Sequence, residues 1–411
     1  MDGPVTSRVV ITGFGFVGAS GCGSACAAEA LAGGRAVSGP IDTAPGYHPP
    51  GAARTAALVD LESLKPHLPG PQARRMSPPA RFAVAAARMA LEEAGLHDIE
   101  EGGGLAAVVL STSFGPASYT ERLCRQILLE GPEAASPAVF TECVASAAAS
   151  QVAIACGAHG ANLTVAQREA GPLTAVLRAV EEVAAGRARR AFAGSVDEMT
   201  PLLHAALGQV RALARPDGDG VERCRPFDRD RRGVLAGEGA TVLVLEGEDE
   251  ARARGASILA TIDAGVRAFD PTASRAGWGH GGDALAASLT AGLRRAGIAP
   301  SSIDAVVSGG SGARMGDALE AAVLRAWRHA LPPVLVPKAV LGEYGGALLA
   351  GALLAAQGRP FGPTPYFTGP DDVHGLVPHD GRPLRPPARL LVTALASGGA
   401  ATWMVLRAEG R

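Results

Sequence analysis

Val9-Val10-Ile11-Thr12-Gly13-Phe14-Gly15-Phe16-Val17-Gly18 is the stretch on which the fold turns. Val9 to Thr12 read as a strand, and the glycines at 13, 15 and 18 come after it with the spacing of a dinucleotide-binding fingerprint. Such a fingerprint also needs a helix, a second buried strand and an acid about 20 residues on for the ribose. Ser24 to Ala32 fits the helix. Val37-Ser38-Gly39-Pro40-Ile41-Asp42 and the prolines from Pro45 to Pro50 do not fit the strand, being too rich in Pro and Gly for a central parallel position. The segment beyond the glycines therefore argues against a nicotinamide-linked oxidoreductase.

Outward from there, helices and strands alternate. Phe82, Ala86, Met89 and Ala90 mark an amphipathic helix over Ala80–Leu96. Leu105–Leu110 is a buried strand, and Ser111–Ser118 a loop. Tyr119, Leu123 and Ile127 lie four apart on one helical face. Leu163–Val165 is a strand entering a helix over Gly171–Ala185, and Ala191–Ala193 and Ala240–Leu245 are strands. The second half echoes this order: strand Leu259–Ala264, helix Ala286–Ala296, strand Ile303–Val307, then Leu390–Ala394 and Thr402–Leu406 as an antiparallel pair. Strands alternating with helices, twice over, predict two similar α/β halves.

Composition narrows the function. Forty acidic residues against 38 basic leave a net charge of −2, without the concentrated basic face that nucleic acid requires. No apolar run is long enough to span a membrane; the best, Ala347–Ala356, is broken by Gly351. Six cysteines in 411 residues is not disulfide-scaffold density, and Cys22 and Cys26 have no His nearby to complete a zinc site. With no leader visible, a cytoplasmic location is expected, and no metal.

Several segments resemble the β-ketoacyl synthases of the thiolase superfamily. They are Val9–Gly15, Ala193-Gly-Ser-Val-Asp-Glu198, Arg225-Pro-Phe-Asp228 with Gly233–Ala240, Gly316-Asp-Ala-Leu-Glu320, Val336-Pro-Lys338 and Gly398-Gly399. The resemblance implies a thiolase-like α/β fold: two similar halves, each with a mixed five-stranded sheet, layered αβαβα and divided into 1–252 and 253–411. It also accounts for the opening glycines as a first strand and turn. The family's chemistry uses a Cys at a helix amino terminus and two His residues that stabilise an enolate. Here Glu169 stands at the Cys position, Gly309 at the first His and Glu343 at the second. Asp317, Glu320 and Lys338, with Glu238 of the Gly-Glu-Gly-Ala segment, match the family's structural acid-and-lysine network.

The subfamily that keeps this fold without the Cys is the chain-length factor of type II polyketide synthases, which Gln167-Arg-Glu169-Ala-Gly171 and Gly342-Glu-Tyr-Gly-Gly346 resemble. That implies no catalytic residue and no cofactor. It implies a heterodimer with a catalytic ketosynthase, contact with acyl carrier protein through the complex, and a role in setting polyketide length. Tyr119, Leu123, Ile127, Phe140 and Thr141 are then the acyl-tunnel candidates, and the small-residue run Ala145–Ser150 is expected at the dimer axis. The competing reading is an autonomous decarboxylase or acyltransferase using Glu169 and Glu343. Against it, a carboxylate attacking a thioester gives a mixed anhydride more reactive than its precursor.

Overall fold

A computed structural model describes residues 8–68 and 70–410. Ten strands carry the architecture. They are β1 (Val9–Gly18), β2 (Ala106–Ser111), β3 (Asn162–Val165), β4 (Arg190–Asp197) and β5 (Gly239–Gly247), then β6 (Ala260–Phe269), β7 (Ala305–Val307), β8 (Val334–Leu335), β9 (Arg389–Leu395) and β10 (Ala400–Ala408). Across the sheet the first five run β3-β2-β4-β5-β1, and the second five run β8-β7-β9-β10-β6. The two orders are the same with every number raised by five. In each half the first three strands of that order are mutually parallel and the last two join antiparallel. The halves meet where β1 pairs antiparallel with β6 through Val9↔Ile262, Val10↔Thr261 and Ile11↔Ala260, so the ten strands form one continuous sheet system.

Among the described residues, the α-helices of nine residues or more are α1 (Ser24–Gly33), α2 (Pro78–Glu93), α3 (Ala117–Glu130), α4 (Ala147–Cys156), α5 (Gly171–Ala184), α6 (Pro201–Gln209), α7 (Gly282–Arg295), α8 (Arg314–Trp327) and α9 (Gly345–Ala356). Three cores define five layers. One gathers α2 and α4 onto Val108, Leu110, Val242 and Val244 of the first half. Another packs α7 and α8 onto Val306, Leu391 and Val405 of the second. Between them α5 and α9 lie against strands of both halves. α9, Gly-Gly-Ala-Leu-Leu-Ala-Gly-Ala-Leu-Leu-Ala-Ala, is buried along its whole length, as a helix apolar on every face must be.

The opening glycines are not a turn. β1 runs unbroken to Gly18 and is buried throughout. A Cβ on Gly13 would lie 2.1 Å from the Ala90 carbonyl oxygen, and one on Gly15 would lie 1.8 Å from that of Ala86. The glycines are there because α2 rests directly on the strand, its alanines meeting bare backbone. No phosphate could reach them.

α3 departs from the amphipathic expectation in another way: none of its residues is buried. Tyr119 and Leu123 are half-buried, Ile127 is exposed, and Leu128 and Leu129 are 81% and 72% exposed. Phe140 and Thr141, at the end of the short turn Pro137–Phe140, are exposed as well. In the small-residue run, Ala147, Ala148 and Ala149 are buried within the chain itself; the apolar side chains turned outward nearby are Val144 and Ile154.

Candidate functional site

The repeat puts two acids at equivalent places. Glu169 follows β3 and stands two residues before α5; Glu343 follows β8 and stands two residues before α9. Both therefore sit at the amino-terminal end of a central helix, where the helix dipole favours negative charge. Arg168 holds a left-handed φ of 47° just before Glu169. Its guanidinium donates to Ser397 Oγ at 3.0 Å. Ser397, between β9 and β10, in turn donates its backbone N–H to Glu169 Oε2 at 3.2 Å and its hydroxyl to the same carboxylate at 3.3 Å. Burial raises the Glu169 pKa, and the nearby Glu343 raises it further.

Lys338 is 1% exposed and donates to Glu343 Oε1 at 2.6 Å. Burial alone would pull the Lys338 pKa down; the charge of Glu343, joined by Glu169 and Glu320, reverses this and raises it. The second oxygen of Glu343 is buried without a hydrogen-bond partner. Glu320 accepts from Ser308 Oγ at 2.6 Å, from the Gly309 amide at 3.2 Å and from the Thr393 hydroxyl. Burial pushes its pKa up to about 7.

The acid-and-lysine network is thus wired differently from a simple Lys338–Asp317–Glu320 cluster. The bonded partner of Lys338 is Glu343, and Glu320 reaches it through charge. Asp317 accepts from the amides of Phe227, Ser311 and Gly312 at 2.9–3.0 Å, fastening two loops, and burial pushes its pKa up to about 6. Glu238 likewise accepts from the amides of Val59 and Met199, both at 2.9 Å. These are structural acids spent on buried backbone N–H groups.

At the remaining position, a Cβ on Gly309 would lie 2.9 Å from the Thr393 carbonyl oxygen, so a side chain there requires the strand to shift. Burial pushes the Cys224 pKa up to about 12, and its thiol is bonded to the Ser311 carbonyl; that keeps it a protonated, poor nucleophile. Sequence reasoning missed Ser397 and Arg168. Ser397 lies 228 residues from the acid it serves, and its only sequence signal is the glycine pair that follows it. Tyr119, Leu123, Ile127, Phe140 and Thr141 lie apart from these carboxylates, on and beside α3. Among the described residues there is no cluster of three or more His, Cys, Asp or Glu side chains arranged to hold a metal ion. No described helix is long and apolar enough to cross a membrane.

The model of the β-ketoacyl synthase N-terminal domain matches residues 6–251. A putative polyketide β-ketoacyl synthase 1 of Streptomyces halstedii is 31% identical over 399 residues, covering 92% of this chain and 93% of the relative. A 3-oxoacyl-[acyl-carrier-protein] synthase 2 of Vibrio cholerae is 27% identical, covering 95% and 97%. Among solved structures, the ishigamide ketosynthase/chain length factor superposes with a TM-score of 0.86 at 28% identity, over 98% of this chain and 100% of that one.

Proposed function

This chain belongs to the β-ketoacyl synthase family, among the ketosynthase and chain-length-factor-like proteins of type II polyketide synthesis, and we propose that within it the chain is the non-catalytic, length-setting subunit. The observation that carries this reading is the occupancy of the reactive positions. Where a thiolate would stand there is Glu169, held by Ser397; the lysine beside it is paired with Glu343. Decarboxylative condensation needs a nucleophile to hold the acyl chain and donors aimed at the enolate oxygen. A carboxylate cannot store an acyl group stably, Gly309 offers no side chain, and an ionised Glu343 only accepts.

The surface supports a partner. Leu128, Leu129, Phe140, Val144 and Ile154 are exposed, and among the described residues β3 pairs with β2 alone, leaving an open sheet edge. An isolated chain carries such an edge and apolar patch at the risk of aggregation; an obligate partner covers them, burying on the order of 2,000 Å² or more. In this reading the partner is a catalytic ketosynthase, and acyl carrier protein is met through the complex. The assembly works in the cytoplasm, without cofactor. Tyr119, Leu123, Ile127, Phe140 and Thr141 form the part of the tunnel wall that α3 and the following turn contribute. The halves divide at residue 252.

Co-expression tests it. The chain should be unstable alone, co-purify one-to-one with a catalytic ketosynthase, and support elongation only when the partner's own Cys is intact. A soluble homodimer that decarboxylates malonyl-carrier protein unaided would overturn the proposal.

A further inference from the structure

Away from this site, two imidazoles face each other. His48, in the loop after Gly39–Pro40, is 9% exposed, and His204 on α6 is fully buried. His48 Nε2 lies 3.0 Å from His204 Nδ1, and His204 Nε2 lies 3.1 Å from the Thr55 carbonyl oxygen. A carbonyl only accepts, so His204 carries its proton on Nε2 and its Nδ1 is the acceptor. His48 must then donate from Nε2, and its Nδ1, buried with no acceptor for a second N–H, is the bare nitrogen of a neutral ring. The hydrogen bonds fix both tautomers, and the burial of a partnerless Nδ1 keeps the His48 ring neutral.

A proton arriving on the pair has one place to go without breaking a bond, His48 Nδ1, and there it would find no acceptor. The charged side chains around the pair are mostly the wrong sign to help. Arg54 acts on His48, Arg211 and Arg215 line the same cavity of about 330 Å³, and against these Glu222 acts on His204. Burial accordingly lowers the pKa of both imidazoles.

The loop that His48 anchors also holds α3. Tyr47 donates its hydroxyl to Glu121 on α3 at 2.7 Å, and Glu198, three residues before α6, accepts from the Ser118 amide at 2.7 Å. With no buried residue of its own, α3 depends on polar ties such as these. We propose that the His48–His204 contact is a one-proton latch: neutral, it closes the 42–53 loop onto α6 and, through Tyr47, steadies α3; protonated, it opens and loosens that helix.

The sign comes from linkage. The closed-state imidazole pKa lies below the open-state value near 6.5, so the latch has its full strength above that value and weakens as pH falls through it. While the closed form stays unprotonated, the opening constant rises about tenfold between pH 7.5 and 5.5. Hydrogen exchange of the full-length chain, corrected for intrinsic rates, reads this directly. Peptides spanning 42–53 should exchange about tenfold faster at pH 5.5, with those of α3 following. His48→Gln keeps an N–H donor towards His204 but cannot take a proton, and should abolish the pH dependence while keeping the protection. Tyr47→Phe should leave the loop's response intact and remove that of α3. Exchange of the 42–53 loop that does not change with pH in the wild type, or a pH dependence that survives in His48→Gln, would overturn the proposal.

Discussion

Replacing Lys338 by Met tests the reading of the carboxylate site most severely. The ammonium is buried, its bonded partner Glu343 has a side chain only 19% exposed, and Glu169 and Glu320 add their charge. Breaking a buried pair by removing one partner costs about 3–5 kcal/mol, because the other charge is left uncompensated. An unfolding entropy of about 2.1 cal/mol/K per residue, taken over 411 residues, turns that into a fall in Tm of about 3.5–6 °C. The penalty has a ceiling. A carboxyl of the cluster can escape it by taking a proton, at about 1.4 kcal/mol for each pH unit above its free value near 4.3. At pH 8 that ceiling is about 5 kcal/mol; at pH 5.5 it is about 1.6 kcal/mol. A carboxyl whose folded pKa is raised this way loses stability as pH rises, so the Lys338→Met deficit should be large at pH 8 and small at pH 5.5. Adding Glu343→Leu removes the orphaned charge and should recover most of the loss. Calorimetry of the purified complex at both pH values decides it. A Lys338→Met protein as stable as wild type at pH 8, or equally destabilised at both, would refute the pairing.

Other parts of the molecule give three further expected outcomes. Gly15→Ala drives a methyl into the Ala86 carbonyl and should yield little soluble protein, checked by expression level, whereas a phosphate-binding loop there would only lose affinity. Glu169→Gln removes a carboxyl whose pKa burial and Glu343 hold up; product yield should stay near wild type, and the loss of stability as pH rises above the ordinary carboxylate range should flatten, read as Tm against pH. Phe140→Ala, at a residue 60% exposed in the single chain, should cost the fold under about 1 kcal/mol yet lengthen the polyketide made by the complex, read by mass spectrometry; shortened or unchanged chains would remove Phe140 from the tunnel wall.

Nine of the ten strands were legible as short runs rich in apolar residues, and the repeat was legible because those runs recur in order; β8, two residues long between Pro333 and Pro337, was not. What the sequence hid was everything that depends on the neighbour. Gly13 and Gly15 carry the spacing of a phosphate loop, and only the alanines of α2 lying on them show that the spacing serves close packing. Tyr119, Leu123 and Ile127 have the period of a core helix, yet period cannot say whether the covering surface belongs to the same chain. The run Ala145–Ser150 reads as a seam of close backbone approach between subunits; in the chain by itself Ala147, Ala148 and Ala149 are already buried, and bulkier Val144 and Ile154 are exposed. Lys338 could be assigned to the site from its register, but its bonded partner could not, because pairing depends on how the turn Lys338–Leu341 delivers Glu343 back to it five residues on.

Seen through the repeat, Glu169 and Glu343 are one position used twice, the entry to the central helix of each half. Two acids at such a point, with Glu320 behind them, would carry three negative charges against the single ammonium of Lys338. A charge of −2 in a buried pocket is expensive, and protonation is the cheapest way out. Burial raises the pKa of both Glu169 and Glu320, and the charge of Glu343 at the first and of Asp317 at the second raises it further. What stands against condensation chemistry in this pocket is connectivity: the Lys338 bond runs to Glu343, the Ser397 hydroxyl is given to Glu169, and the Gly309 and Thr393 donors are turned onto Glu320. Donors already committed to buried acids are not aimed at an enolate, and freeing one would leave a carboxylate unsatisfied.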